Sequence, residues 1–312
     1  MSKIVYMGTP YYAVPAMQKL LTAGHNISLL ICQPDKKQGR GHRLLPPATK
    51  KFALEHNIEV FQPNSLRTDE SQQKLKHQNA DFFVVIAFGK ILPKAILDIP
   101  LRGCINVHGS LLPKWRGAAP IQFSLLNGEA ETGVCSMLMD EGMDTGDLLL
   151  VNKTNILPED NLDQLGQRLS EMSADTILKT ITEFDQIVPK PQNNDLASYT
   201  RLITKQDRIV NWHLAAGKIY NQFRGLSPKP GIFTYFRKKR MMLKSISFLP
   251  DFPSNTPPGT LLKHNKNDLL VSCDTGAIQI NLCQPENKKI MGIQDFLNGY
   301  QIENNEKFEN EL

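Results

Sequence analysis

Phe82-Phe83-Val84-Val85-Ile86-Ala87 is an unbroken apolar run, and it restricts the possible folds more than any other stretch of this chain. A strand with one wet face alternates apolar and polar side chains, whereas one covered on both faces does not. The run therefore predicts an interior strand of a sheet layered between helices. Its surroundings agree. Ile4 to Met7 is a short apolar strand ending at Gly8. Val14, Met17, Leu20 and Leu21 then recur at helical spacing until Gly24. Ile27 to Cys32 and Glu59 to Phe61 read as strands, as does Gly103 to His108. Helices are expected at Ala48 to His56 and, in polar form, near Asp69 to His77. This β-α-β rhythm predicts an α/β fold with a mostly parallel, doubly wound, Rossmann-like sheet. Such sheets bind ligands beyond the carboxyl ends of their strands. Gly8-Thr9-Pro10, Gly89 and His108 all fall at such ends. The first turn lacks the second and third glycines of a dinucleotide fingerprint, and Pro10 removes a backbone donor, so a nicotinamide cofactor is excluded there.

At 312 residues the chain is long enough for two domains. A long helix is expected from Leu162 to Phe184. Residues 188–206 turn polar, with Pro189, Pro191, Asn193 and Asn194, and read as a linker between domains at 1–187 and 207–312. The second domain opens on a predicted helix with apolar Ile209, Trp212, Ala216, Ile219 and Phe223. Short strands follow at Ile232 to Arg237, Met241 to Phe248, Gly259 to Leu262, Leu269 to Cys273 and Ala277 to Leu282. About five closely spaced strands predict a compact, OB-like β-barrel.

Charge is uneven. Residues 208–289 carry thirteen Lys and Arg against four acids, while residues 290–312 carry one against five. The basic excess is that of a surface meeting phosphates. Two clusters stand out: the glycine-containing loop Gln33 to Arg43, with Lys36, Lys37, Arg40 and Arg43, and the run Arg237-Lys238-Lys239-Arg240 between two predicted strands. The acidic tail after Glu303 has no assigned role, and its composition fits disorder. Five cysteines without a Cys-x-x-Cys pair argue against a disulfide framework and for packed free thiols; no metal site is expected. The N-terminal apolar stretch is too short for a signal peptide, and no run approaches a membrane span, so a cytoplasmic protein is expected.

Chemistry concentrates at Asn106-Val107-His108, which runs into Gly109-Ser110-Leu111-Leu112-Pro113-Lys114-Trp115-Arg116-Gly117. Alternate residues of a strand share a face, so Asn106 and His108 lie side by side. One is an amide donor and the other a proton carrier near neutral pH. The combination suits acyl chemistry, with an oxyanion donor beside a proton handler. A histidine in that role needs a carboxylate partner. The loop Asp140-Glu141-Gly142-Met143-Asp144-Thr145-Gly146-Asp147 offers Asp140, Asp144 and Asp147, and spacing does not choose among them.

The segment Asn106 to Gln122, the acidic loop at 140–147 and the basic loop at 33–43 together resemble the methionyl-tRNA formyltransferases, from the first strand to about residue 300. The resemblance implies a 10-formyltetrahydrofolate donor, the amino group of methionyl initiator tRNA as acceptor, and no metal. It implies Asn106, His108 and Asp144 as the catalytic trio. Phe88, Gly89, Ser110, Leu111, Leu112 and Pro113 are implied as the folate site. Lys36, Lys37, Arg40, Arg43, Lys114, Arg116, Lys229 and residues 237–240 are the expected tRNA contacts. The chain departs from the family where Lys229 replaces a common aromatic and Lys114 a common arginine. A monomer is expected. The alternatives are a formyltransferase for a small amine, such as a purine precursor or amino sugar, or a non-catalytic RNA-binding protein.

Overall fold

The computed structural model describes residues 1–38, 43–253, 256–263 and 267–310. The chain forms two compact units. One comprises Met1–Pro120, Glu131–Asn155 and Gly166–Arg201; the other comprises Ile121–Ala130, Ile156–Leu165 and Leu202–Leu312.

The first unit is built on a seven-stranded sheet. Its strands are β1 (Lys3–Gly8), β2 (Asn26–Ile31), β3 (Val60–Phe61), β4 (Phe82–Ile86), β5 (Gly103–His108), β6 (Glu131–Leu138) and β7 (Leu148–Asn155). They lie in the order β7-β6-β5-β4-β1-β2-β3. β5 through β3 in that order pair in parallel, and β6 and β7 close one edge antiparallel. Helices α1 (Val14–Thr22), α2 (Ala48–Glu55), α3 (Asp69–Lys76) and α4 (Leu162–Thr182) provide most of the covering layers. All five residues of β4 are buried, as its unbroken apolar sequence requires. One face of the sheet gathers Val5, Met7, Leu29, Ile31, Phe83 and Val85 into a single core. α4 packs partly through hydroxyls: Thr180 Oγ1 lies 2.7 Å from Ser136 Oγ, and Thr176 Oγ1 accepts from Asn152 Nδ2 at 2.7 Å.

The second unit contains α5 (Ala216–Leu226), strands β8 (Ile232–Phe236), β9 (Lys239–Leu249), β10 (Leu261–Lys263), β11 (Leu269–Ser272), β12 (Ala277–Pro285) and β13 (Met291–Gly292), and α6 (Ile293–Gly299). The antiparallel order is β8-β9-β12-β11-β10, with β13 on β12. The C-terminal segment closes this sheet into a barrel. Tyr235 and Glu309 exchange backbone bonds of 3.1 and 2.9 Å, Leu261 N donates to Glu306 O at 2.8 Å, and Phe308 N donates to Gly259 O at 2.9 Å. Phe308 is 4% exposed and packs on Trp212 and Phe236. The tail is thus ordered through residue 310, contrary to its composition, because one aromatic anchor and a strand-like backbone outweigh its exposed acids.

The helix expected from Ile209 begins only at Ala216. Ile209 instead bridges Phe233, Val210 N bonds Phe233 O at 2.9 Å, and Trp212 Nε1 donates to Thr234 Oγ1 at 3.0 Å. Residues 209–212 therefore run along β8, and their helix-like spacing of apolar residues is coincidental. Residues 190–200, within the expected linker, bond to the first unit: Lys190 and Leu148 pair in both directions, and Tyr199–Thr200 forms a parallel ladder with Arg116–Gly117.

Candidate active site

β5 ends at the carboxyl edge of the parallel sheet and places Asn106 and His108 on one face. The loop between β6 and β7 brings Asp144 to them. Its carboxylate Oδ2 accepts from Gly117 N at 2.8 Å and faces His108 Nε2 at 3.3 Å, while Oδ1 accepts from Asn106 Nδ2 at 3.4 Å. Of the three aspartates in the loop, Asp144 is therefore the one beside the histidine. Asp140 ties the loop internally, accepting from Thr145 Oγ1 at 2.7 and 2.8 Å and from Gly142 N at 3.0 Å. Burial by itself would raise the Asp144 carboxyl. The His108 hydrogen bond and charge, the Gly117 amide and the nearby Arg116 charge outweigh that and hold it below its ordinary value.

His108 is 6% exposed, and its two nitrogens have different surroundings. Ser110 Oγ donates its only proton to the Lys114 carbonyl at 2.6 Å, so it accepts from His108 Nδ1 at 2.9 Å. Nδ1 is thereby committed as a donor. Nε2, also 3.4 Å from the Gly117 carbonyl, is the nitrogen left for chemistry. This corrects the expectation that Ser110 contacts the folate: its side chain is fully buried behind the histidine.

Other expected folate residues also lie deeper than expected. Phe88 is 2% exposed in the sheet's core, and its carbonyl accepts from Thr9 Oγ1 and Gln33 Nε2, each at 3.2 Å. Leu112 is 6% exposed and packs with Cys135 and Met137. Leu111 and Pro113 are half-buried, and Gly89 takes a left-handed φ of 77°. A cavity of about 140 Å³ opens instead on Asp144, lined by Lys90, Ile91, Leu92, Met137, Met139 and residues 140–144. Its walls combine the apolar Ile91, Leu92, Met137, Met139 and Met143 with the charged Lys90, Asp140, Glu141 and Asp144. Sequence reasoning missed Lys90 to Leu92 and Met139; the available signal was the apolar pair Ile91-Leu92 in the segment that follows β4, two residues after Gly89. A larger cavity, about 650 Å³, lies beyond β1 and β2 and is lined by groups that include Thr9, Tyr11, Gln33, Lys36, Lys51 and Phe52.

The expected tRNA contacts divide. Lys36 and Lys37 are exposed on a short hairpin of Lys36–Gln38 with Arg43–Leu45. Arg40 lies outside the described residues, as does the side chain of Arg43. Lys114, Lys229, Lys238, Lys239 and Arg240 are exposed. Arg237 and Lys238 form the turn between β8 and β9 with φ of 50° and 60°, the backbone of a type I′ hairpin. Arg237 Nε also pairs with Glu306 at 2.6 Å, which offsets part of its charge. Arg116 is a correction: at 1% exposed its guanidinium is an internal group bonded to Gln192 and Asn194 and cannot meet a phosphate in this arrangement. Gln192, in the expected linker, carried no sequence signal. No helix among the described residues is long and apolar enough to cross a membrane.

Comparison with known proteins places this geometry. Residues 2–181 match the formyl transferase domain family, and residues 202–301 match the formyl transferase C-terminal domain. The chain is 43% identical to a methionyl-tRNA formyltransferase of Thermodesulfovibrio yellowstonii over 303 residues, covering 96% of this chain and 97% of that one. It is 39% identical to that of Geobacter sulfurreducens over 303 residues, covering 96% and 95%. Among solved structures, an N-formyltransferase from Helicobacter canadensis, in complex with folinic acid and dTDP-3-aminofucose, matches with a TM-score of 0.67 at 20% identity, over 91% of this chain and all of that one. A methionyl-tRNA formyltransferase from Clostridium thermocellum matches at 0.58 and 17% identity, over 79% and 93%. These two show the shared fold. With both domain families matched and near-full-length relatives at about 40% identity, the chain belongs to the methionyl-tRNA formyltransferase family.

Proposed function

We propose that this protein transfers the formyl group of 10-formyltetrahydrofolate to the α-amino group of methionyl initiator tRNA, for translation initiation. The observation that carries the proposal is the convergence of the Asn106 amide, the His108 Nε2 and the Asp144 carboxylate at the carboxyl edge of the sheet. The cavity beside Asp144 is proposed for the flat ring of the donor, and the cavity beyond β1 and β2 for the aminoacylated end of the tRNA. The exposed Lys36, Lys37, Lys114, Lys229, Lys238, Lys239 and Arg240 are the proposed phosphate contacts. Residues 1–187 would carry the chemistry and the barrel of residues 207–312 the grip on tRNA. A monomer acting in the cytoplasm is part of the same proposal.

The amine must reach the formyl carbon unprotonated. As the C–N bond forms, Asn106 Nδ2 donates to the developing oxyanion, and one such donor contributes about 2.7–4 kcal/mol; the positive charge of a protonated His108 stabilises the same oxygen. Asp144 stabilises the imidazolium and holds the ring in position. The proton lost by the amine is relayed to the folate nitrogen as the C–N10 bond breaks, giving formylmethionyl-tRNA and tetrahydrofolate. No covalent bond to the enzyme is needed.

The test is a formyl-transfer assay with charged initiator tRNA, charged elongator tRNA and small amines including an amino sugar. Formylation confined to charged initiator tRNA, lost in His108→Ala, is expected. Preferential turnover of a small amine would overturn the tRNA assignment, and binding of tRNA without any transfer would overturn the enzymatic one.

A further inference from the structure

The backbone of Asp144 adopts a φ of 55°, in a left-handed region that is unfavourable for a residue with a side chain and persists only when its surroundings over-determine it. Some of that determination comes from the loop itself, through Asp140, and from the Gly117 amide on the carboxylate. The rest comes from outside the loop. Gln192 Nε2 donates to the Asp144 carbonyl at 2.9 Å and to the Gly146 carbonyl at 2.8 Å. Its Oε1 in turn accepts from Arg116 Nε at 3.2 Å and Nη2 at 2.8 Å, and Arg116 Nη2 also donates to Asn194 Oδ1 at 2.8 Å. Both amide protons of Gln192 and two lone pairs of its carbonyl are thus used, and all these groups lie in the first unit.

The direction of these bonds matters. Arg116 is buried and can only donate, so it fixes which end of the Gln192 amide faces it. The nitrogen end is thereby turned toward the two loop carbonyls. Gly146 admits no other residue, because a Cβ there would overlap the Leu138 carbonyl. The loop is therefore held at Asp144 and at Gly146, the two positions that set where the carboxylate points.

We propose that Gln192, oriented by Arg116, is a positioning residue for Asp144: it fixes the backbone that aims the carboxylate at His108 Nε2. The inference rests on the role of Asp144 in the proposed formyl transfer. It gives residues 190–194 a part in the chemistry, although their composition reads as a spacer.

The experiment is a double-mutant cycle between Gln192→Glu and Asp144→Asn, read as kcat in single-turnover formyl transfer to charged initiator tRNA. Gln192→Glu keeps the side-chain length and the bond to Arg116, and removes both donors to the loop. The expected result is a 10- to 100-fold fall in kcat with KM for either substrate changed less than about threefold, and less than about a threefold further fall when the change is made in Asp144→Asn. A structural role alone would lower kcat by the same factor in both backgrounds, and that outcome overturns the proposal, as does an unchanged kcat in Gln192→Glu. If Gln192→Glu does not fold, the same cycle with Gln192→Met is decisive on the same criteria. Full activity in Asp144→Asn alone would instead overturn the catalytic reading of the site, and Gln192 would lose its role with it.

Discussion

Asp144→Asn replaces one carboxylate oxygen with an amide nitrogen at nearly constant volume, so its effect isolates charge and hydrogen-bond direction. In the wild type Oδ2 accepts from Gly117 N and faces His108 Nε2, and Oδ1 accepts from Asn106. An amide in this place meets a donor whichever way it turns. With its nitrogen toward Gly117, two N–H groups oppose each other at 2.8 Å. With its nitrogen toward Asn106 the conflict falls on the longer, 3.4 Å contact, so that orientation is preferred. The larger loss is the charge opposite the imidazolium. At the 3.3 Å separation of His108 Nε2 and Asp144 Oδ2, an effective dielectric of about 20 gives an attraction of ~5 kcal/mol. If all of that is lost from the protonated form of His108 that stabilises the oxyanion, the rate falls by roughly 10³–10⁴ at 1.36 kcal/mol per decade. Single-turnover transfer to charged initiator tRNA measures the rate directly, and circular dichroism reports the fold. The expected outcome is a loss of about three orders of magnitude in kcat with little change in KM. A loss of less than tenfold in a folded variant, or one expressed only as a higher KM for the donor, would refute the charge argument.

Three further outcomes follow from the structure. Phe308→Ala removes a ring that is 4% exposed and closes the barrel; it should cost about 3–5 kcal/mol in denaturant unfolding, and a cost under about 1 kcal/mol would mean that the tail does not hold the barrel shut. Burial pushes Cys32 and Cys135 up to about 11 and Cys104, Cys273 and Cys283 up to about 12, so at pH 8 the native protein should react slowly with a thiol reagent and the unfolded protein should titrate five thiols; a fast-reacting native thiol would contradict this packing. The Asp144 carboxyl is held below its ordinary value of 3.8, so its contribution to stability is fully present above that pH and is lost as pH falls through the lower folded value. The difference in Tm between wild type and Asp144→Asn should accordingly persist down to pH 5 and shrink below pH 4, whereas a difference that vanished near pH 6 would exclude an ionised partner for His108.

Much of this protein is legible in its residues. The apolar run at β4 sets an interior strand, because a strand without polar alternation must be covered on both faces, and alternation along β5 puts Asn106 and His108 together. Sequence by itself also yielded the family resemblance and the positive second half of the chain. It failed where a property depends on contacts made at long sequence separation. The choice of Asp144 among three loop aspartates is set by the 2.8 Å bond to Gly117, 27 residues away. Arg116 reads as a surface cation, but Gln192, 76 residues on, makes it an interior one. Ser110 is the exception in separation: it reads as a ligand contact, yet it partners His108 Nδ1 only two residues away. Phe308 gives an acidic tail its place in the barrel. Local spacing determines which side chains share a strand face, since that follows from backbone geometry alone. Which donor meets which acceptor is decided only when distant segments pack, since a buried polar group takes whatever partner the fold brings to it.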